Sequence, residues 1–456
     1  MNSKRMVRAG LCPARIFKSM NGIAAALGLA AIPVSALGVS PAAAAATTAV
    51  SATPAASAVT DFYRARSNRP FWLSAPSGAA AHHLLQLLSS AGIDGLPADR
   101  YGTQRIAQAL REAQSGKKKA VNRAELMLSE AFVTYARDLR RAPEIGVYYV
   151  DRELIPSVPS ARALLEAAAA APSLELYVRN LGWMNPMYGQ LRNALTAGLY
   201  ESDSQRQLLA LNLERARTLP ADRRRYVLVN SAAQRLYMYE NGQVVDSMRV
   251  VVGKPKYPTP MMAAQIRYAS LNPYWFVPPD LAAERIAPNA ARRGLKYLNE
   301  LGYEVLSDWT DDATMVDPAT IDWKAVAEGK AEVRIRQRPG AHNSMGRMKF
   351  MFPNAAGVYL HDNPERELFS EASRLYSGGC VRLEDAARLG RWMFGRELVW
   401  EGAGTEEKVP LQTPVPVYIT YLTAVPGSGT IAYFDDVYGR DASRLAAVSA
   451  RQVAGQ

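Results

Sequence analysis

The spacing of apolar residues changes period once along the chain, near Arg225, and this change limits what the 456 residues can form. Upstream, Leu84, Leu85, Leu87 and Leu88 cluster, and Leu126, Phe132, Tyr135 and Leu139 recur at helical intervals in a segment ending at Arg140-Arg141. The pattern predicts an α-rich region over 61–219, in which Gly116-Lys117-Lys118-Lys119 reads as an exposed loop. Downstream, Tyr226-Val227-Leu228-Val229-Asn230 and residues 234–240 read as strands, and Asn241-Gly242 supplies the positive-φ pair for a tight turn into 243–252. Strand character returns at 332–337, 349–352 and 357–360, whereas 278–332 is charged and mixed and predicts an inserted subdomain. The expected fold class is α+β, with a β-rich domain over 225–425 and a C-terminal extension over 426–456.

The first 46 residues belong to neither half. Lys4, Arg5, Arg8, Arg15 and Lys18 occur with no acid, Gly22 to Gly38 is apolar apart from Ser35, and residues 41–46 offer small-residue cleavage sites. This is the pattern of a secretory signal peptide, since an apolar run interrupted by Pro33 is short of the roughly twenty residues a membrane span needs. Residues 47–60, mostly Ala, Thr, Ser and Pro, read as a linker. The formal charge of +12 counts those five basic residues, so an exported chain carries +7. Nucleic acid is thereby excluded as an expected partner, and the remaining positive charge suits either an anionic polymer outside the cytoplasm or a plain soluble surface.

Export also removes Cys12 and leaves Cys380 as the one thiol. Two cysteines and four histidines without an HExxH pattern give no disulfide scaffold and no zinc signature, and no metal or cofactor is expected. An unpaired thiol outside the reducing cytoplasm calls for a use. The strand-like run Gly357-Val358-Tyr359-Leu360 ends at His361. Asn363-Pro364-Glu365 then predicts a helix start, with Leu368, Phe369, Ala372 and Leu375 as its apolar face. Ser377-Gly378-Gly379 breaks that helix before Cys380, and a second helix from about Leu383 carries Ala386, Gly390 and Met393 on one side. One short helix returns the chain to its starting level, so imidazole and thiol can meet. The expected chemistry is nucleophilic, with the thiol ionised beside His361 and glycine N–H groups near a developing oxyanion. His342, in the polar turn 340–344, is the competing imidazole, and His82 and His83 read as surface or packing residues.

Ser377-Gly378-Gly379-Cys380-Val381-Arg382 resembles the SxGCxR active-site motif of L,D-transpeptidases, with His361 upstream in the expected order. The resemblance extends to 226–236, 251–254, 271–275, 336–340 and 343–347, which are similar to the large periplasmic branch of that family. More weakly, 61–63, 95–97 and 135–139 resemble its scaffold region. Two departures stand out: no peptidoglycan-binding module is visible between Leu181 and Leu219, and Gly378 stands where many smaller members have His, which should leave the loop more flexible.

The resemblance implies an α-rich N-terminal scaffold domain followed by a mixed β-sandwich with short helices, carrying a lid at about 278–332. It implies that Cys380 attacks a peptidoglycan tetrapeptide stem, expelling D-alanine and leaving a thioester, with His361 as base and then acid. The main-chain carbonyl of Asp362 would orient the imidazole. Tyr359 and the N–H groups of Gly379 and Cys380 would stabilise the tetrahedral intermediate. Arg382 would hold the loop or a substrate carboxylate, and Ser377, Gly378, Trp275 and Asn272 would line the substrate groove. A second stem would accept the acyl group in a 3→3 cross-link. Expected partners are donor and acceptor stems, cell-wall synthesis proteins, and carbapenems acylating Cys380; the expected location is the periplasm. Water as acceptor would instead give an L,D-carboxypeptidase or endopeptidase, and an inert Cys380 a noncatalytic wall-binding scaffold. A sortase would show a TLxTC-like segment, absent here, and papain-like and NlpC-like peptidases place Cys before His.

Overall fold

The computed structural model describes residues 55–454 except 223, 311, 403–405 and 428. The expected signal peptide and most of the expected linker lie outside the described residues, and from Ala55 the linker stretch is already helical. No described helix is long and apolar enough to cross a membrane.

The N-terminal half packs helices around Trp72, Leu84, Leu88, Leu128, Phe132, Tyr135 and Tyr188. Helix starts follow local chemistry: the hydroxyls of Ser160, Ser173 and Ser202 accept the N–H groups of Ala163, Leu176 and Gln205 in the first turns, and Asn185 caps a helix whose first residue is Pro186. The longest helix, Lys118–Leu139, starts inside the stretch read as a lysine loop, and Leu126 faces solvent while Leu128, Phe132, Tyr135 and Leu139 form the buried stripe. Buried carboxylates tie the irregular segments down. Glu125 accepts main-chain N–H groups of Phe71, Trp72 and Leu73 at 2.9, 3.0 and 2.7 Å. Asp94 accepts the Arg192 guanidinium at 2.9 Å and the hydroxyls of Tyr135 and Tyr188 at 2.7 and 2.6 Å. Because both ion-pair partners are buried, Asp94→Asn leaves an uncompensated guanidinium, and we expect a loss of about 3–5 kcal/mol, read as a lowered denaturation midpoint for the helical half.

This half is not purely helical: it contributes a short strand, β1 (Tyr148–Tyr149). The period change then delivers β2 (Tyr226–Asn230), β3 (Arg235–Glu240), β4 (Gln243–Gly253) and β5 (Met262–Leu271). Asn241 and Gly242 adopt φ of +53° and +77° and turn β3 tightly into β4. β2 is apolar almost throughout because both faces are covered, Val227 and Val229 by one core and Tyr226 and Leu228 by another.

Between β5 and the site lies the insert. Strands β6 (Trp275–Val277), β7 (Tyr303–Leu306), β8 (Met315–Val316) and β9 (Arg334–Gln337) form a separate sheet in the order β6-β9-β7-β8. Its own core includes Ile286, Ala287, Leu298, Trp323, Val326 and Ile335. The folded unit therefore reaches beyond 278–332 on both sides, because its sheet takes in strands flanking that range.

The main sheet is completed by β10 (Met348–Met351), β11 (Leu360–His361), β12 (Leu375–Ser377), β13 (Val381–Leu383) and β14 (Glu407–Thr420). Its order is β1-β5-β10-β11-β13-β4-β3-β2-β14, and β14 also pairs with β5, so the sheet, mixed as expected, closes on itself around Met248, Val250, Phe350, Leu360, Val381 and Leu389. The helix expected after Asn363 is instead a single 3₁₀ stretch, Arg366–Ser370, flanked by Glu365. Of its supposed apolar face only Phe369 is buried. The Asn363 side chain does not cap, since its amide donates to the Glu365 carbonyl at 2.7 Å. The chain beyond is captured by β4, with Leu375 opposite Val252 and Ser377 opposite Gly253, so strand pairing claims the residues that would have extended the helix. The second expected helix forms at Ala386–Phe394, capped by Asp385, with Ala386, Leu389, Gly390 and Met393 buried. The last segment is integrated rather than appended: a hairpin of β15 (Ala424–Pro426) and β16 (Ile431–Tyr433) leads to a helix at Arg440–Ala454, where Asp441 meets Arg215 in a buried ion pair at 2.5 Å.

Candidate active site

β11 and β13 run parallel, with Leu360 opposite Val381 and His361 opposite Arg382. Val381 donates its N–H to the Tyr359 carbonyl at 3.2 Å, which sets Cys380 across from Tyr359. Side chains alternate along strands, so once Leu360, Val381 and Leu383 enter the core, Tyr359, His361, Cys380 and Arg382 share the opposite face. On that face His361 and Cys380 are diagonal neighbours, with Cα atoms about 8 Å apart by the spacing of paired strands. Both line one cavity of about 300 Å³, which the insert walls with Trp275, Leu281 and Arg285.

The imidazole is 2% exposed, and its Nδ1 lies 2.6 Å from the main-chain carbonyl of Asp362. A carbonyl only accepts, so Nδ1 carries the hydrogen and Nε2 offers a lone pair. The Asp362 carboxylate is fixed in turn by the Arg347 N–H and the Arg366 guanidinium, both at 2.9 Å. Burial first, then the nearby charges of Arg382 and Lys349, holds His361 down to about 3, against the bonds to Asp362 and Met345 that favour its charged form. Cys380 is half-buried and its thiol donates weakly to the Gly357 carbonyl at 3.6 Å. Burial pushes this thiol up, outweighing Tyr359 and Arg382, which favour the thiolate. Desolvation thus works against both charged forms, the imidazolium and the thiolate.

The other expected residues separate into those that face the cavity and those that build it. Tyr359 packs its ring 5.7 Å from the imidazole, and its hydroxyl bonds to Cys380 and receives the Trp275 indole N–H; burial raises its phenol well above the ordinary range. Ser377 is turned inward: its hydroxyl donates to the Cys380 carbonyl at 2.6 Å and accepts the Gly379 N–H at 3.1 Å. That second bond corrects one expectation, since the Gly379 N–H is already satisfied within the loop and does not point to a developing oxyanion. Gly379 has φ of +114°, which favours glycine, and a Cβ on Gly378 would come within 3.1 Å of Leu281. Gly378 thus lines the cavity, as expected, and makes room for the insert besides. Arg382 bonds Glu365 at 2.9 Å and Asn363 at 3.3 Å, so it holds the segment after His361. Trp275 lines the cavity, whereas Asn272 does not: it occupies the positive-φ turn between β5 and β6, donating its N–H to the Arg347 carbonyl at 2.9 Å.

His342 is exposed and lines a different cavity, beside Asn299 and Arg338. Sequence reasoning missed Leu281 and Arg285, which enter the site from an insert with no motif of its own. Among the described residues, no group of three His, Cys, Asp or Glu side chains is placed to hold a metal ion.

A model of the L,D-transpeptidase catalytic domain, YkuD, matches residues 224–417, and a scaffold-domain model matches 57–195. A Haemophilus influenzae protein described provisionally as an L,D-transpeptidase is 27% identical over 390 residues, 83% of this chain and 77% of its own length. Among solved structures, an L,D-transpeptidase from Mycobacterium smegmatis shares 14% identity over 43% of this chain and 58% of that one, with a TM-score of 0.22. An Enterococcus faecium L,D-transpeptidase shares 12% over 48% and 64%, with a TM-score of 0.21. The chain spans less than two thirds of either structure, and superpositions this weak carry no geometric argument. The two domain matches, with a relative that aligns across both, establish that the chain carries a YkuD L,D-transpeptidase catalytic domain with a scaffold domain N-terminal to it.

Proposed function

We propose that the chain is a peptidoglycan L,D-transpeptidase working through a thioester on Cys380. The observation that carries this reading is the shared face of β11 and β13, where Cys380 and a His361 of fixed tautomer open into one cavity. As the sulfur attacks the carbonyl of the L-centre of the stem's diamino acid, the thiol proton passes to His361 Nε2. The oxyanion is held by the Tyr359 hydroxyl, which already bonds the sulfur, and by the Cys380 N–H, each worth on the order of 10²–10³ in rate. Collapse breaks the peptide bond, and the departing D-alanine amine takes the proton from His361. An amine of a second stem then attacks the thioester, its proton returns through His361 to sulfur, and a 3→3 cross-link results. Arg285, which shares the cavity wall with Asp280, offers a cation to a carboxylate-bearing stem.

Export, with cleavage after the basic and apolar leader, and a periplasmic site of action belong to the same proposal, since the substrate lies outside the cytoplasm. Carbapenem acylation of Cys380 belongs to it as well; one structural neighbour is a complex with imipenem. Incubating the protein with tetrapeptide muropeptides should give cross-linked dimers with loss of D-alanine. Release of D-alanine without dimers would assign water as acceptor and make the enzyme an L,D-carboxypeptidase, and no turnover together with an unreactive Cys380 would leave a wall-binding scaffold.

A further inference from the structure

Thr259 is fully buried behind the nucleophile loop, in the connection between β4 and β5. Its hydroxyl accepts the Gly253 N–H at 2.9 Å and donates to the Gly379 carbonyl at 2.9 Å. A hydroxyl has one hydrogen to give, and here it goes to the residue that precedes Cys380. The C-terminal segment closes on the same two backbone positions from outside. Tyr438 donates its hydroxyl to the Gly253 carbonyl at 2.6 Å, and Arg440 donates to the Thr259 carbonyl at 2.8 Å. These two residues are anchored themselves: the Arg440 guanidinium lies 5.1 and 4.9 Å from the ring centroids of Tyr421 and Tyr438, and the Arg440 main-chain N–H donates to the Asp436 carboxylate at 2.9 Å. The backbones leave little slack, since a Cβ on Gly253 would fall 2.0 Å from the Tyr257 carbonyl oxygen and 3.1 Å from the Gly379 Cα. Tyr438 and Arg440 lie beyond residue 417, where the catalytic-domain match ends.

We propose that Thr259, braced by Tyr438 and Arg440, is a positioning residue for the Cys380 loop. It touches no substrate; it fixes where the sulfur and the adjoining N–H stand relative to the carbonyl under attack. The loop has two internal ties, both through Ser377; strand bonds hold its ends, from Lys254 N–H to the Ser377 carbonyl at 3.0 Å and from Val381 N–H to the Tyr359 carbonyl at 3.2 Å, and Thr259 ties its middle, at Gly379, to the rest of the domain. The C-terminal segment thereby acts on the reaction from outside the cavity. This inference rests on the transpeptidase reading above.

The test uses the whole chain and two readouts, the rate of Cys380 acylation by imipenem followed by intact mass, and muropeptide dimer formation. Thr259→Val keeps the shape and loses both hydroxyl bonds. Because misplacement by about 1 Å can cost about 10²-fold, we expect it to lower the acylation rate and kcat by about 10–100-fold with KM little changed. Thr259→Ser should recover most of the loss, and Tyr438→Phe, which removes only the outer brace, should show a smaller loss of the same kind. Wild-type rates in Thr259→Val, a Ser variant as slow as the Val variant, or a loss confined to KM would each overturn the inference. Should Thr259→Val not fold, Tyr438→Phe decides alone, and a wild-type rate there overturns it. A wild-type protein that imipenem does not acylate brings down the transpeptidase reading and this inference together, whereas a reactive wild type with unaffected variants removes only the inference.

Discussion

Cys380→Ala is expected to abolish both carbapenem acylation and dimer formation while the thermal midpoint stays close to that of the wild type. The separation of the two effects follows from how the side chain is held. Its bond to the Gly357 carbonyl is long and weak at 3.6 Å, so truncation removes little from the fold. The loop conformation is kept by Ser377 and Thr259, whose bonds are to main-chain atoms of Gly379 and Cys380. Chemistry, by contrast, has no substitute, because Cys380 is the only cysteine among the described residues. Cys380→Ser should be equally inactive: a neutral imidazole that can draw a proton from a thiol is far less able to draw one from a hydroxyl. Peptide mapping after exposure to imipenem locates the adduct, and an adduct or full turnover in either variant would refute the assignment.

The second large effect is at His361. His361→Ala should lower turnover by about 10²–10⁴-fold, the usual contribution of a positioned acid–base group, whereas His342→Ala should be nearly silent. The buried imidazole also makes two pH statements. Held at about 3, it remains unprotonated well below neutrality, so acylation should show little loss between pH 7 and pH 5. An imidazole titrating at its ordinary value near 6.5 would lose about 25-fold over that range. For stability the sign is opposite to that of a histidine with an acidic partner. In the unfolded chain His361 takes a proton near pH 6.5, and in the folded chain it takes none until about 3. The unfolded state therefore binds the extra proton, and the stability fully present above 6.5 is lost as pH falls through that window, by up to about 1.4 kcal/mol per unit. Thermal midpoints measured from pH 6.5 to 4 should fall more steeply for the wild type than for His361→Ala.

Much of this was legible in residue patterns, for physical reasons that also mark where the patterns stop. β2, the Asn241-Gly242 turn and the helix at Ala386–Phe394 depend on neighbours within a few residues, so alternation, positive φ and capping announce them. The segment from Asn363 to Leu375 shows the opposite. Its proline and apolar spacing favour a helix, but hydrogen bonds to β4, more than a hundred residues away in sequence, decide otherwise. The His361–Cys380 pairing could be read because both ends of the connection lie on adjacent strands. The commitment of the Gly379 N–H could not, since it depends on which way one serine hydroxyl turns. Thr259 carries no local signal at all: its two bonds reach residues 6 and 120 positions away.

β1 has a practical consequence for anyone who wishes to divide the chain. Tyr148 and Val150 donate their N–H groups to the carbonyls of Met261 and Ala263 at 3.0 and 2.9 Å, and Asp151 accepts the Gln265 N–H at 2.6 Å. A fragment cut to the catalytic match at residue 224 would bare the start of β5, and naked strand borders invite self-association. β1 lies between helices of one core, so any chimera that exchanges the helical half between relatives brings a foreign β1 to β5, and residues 148–151 have to be kept matched to the strand they sheathe.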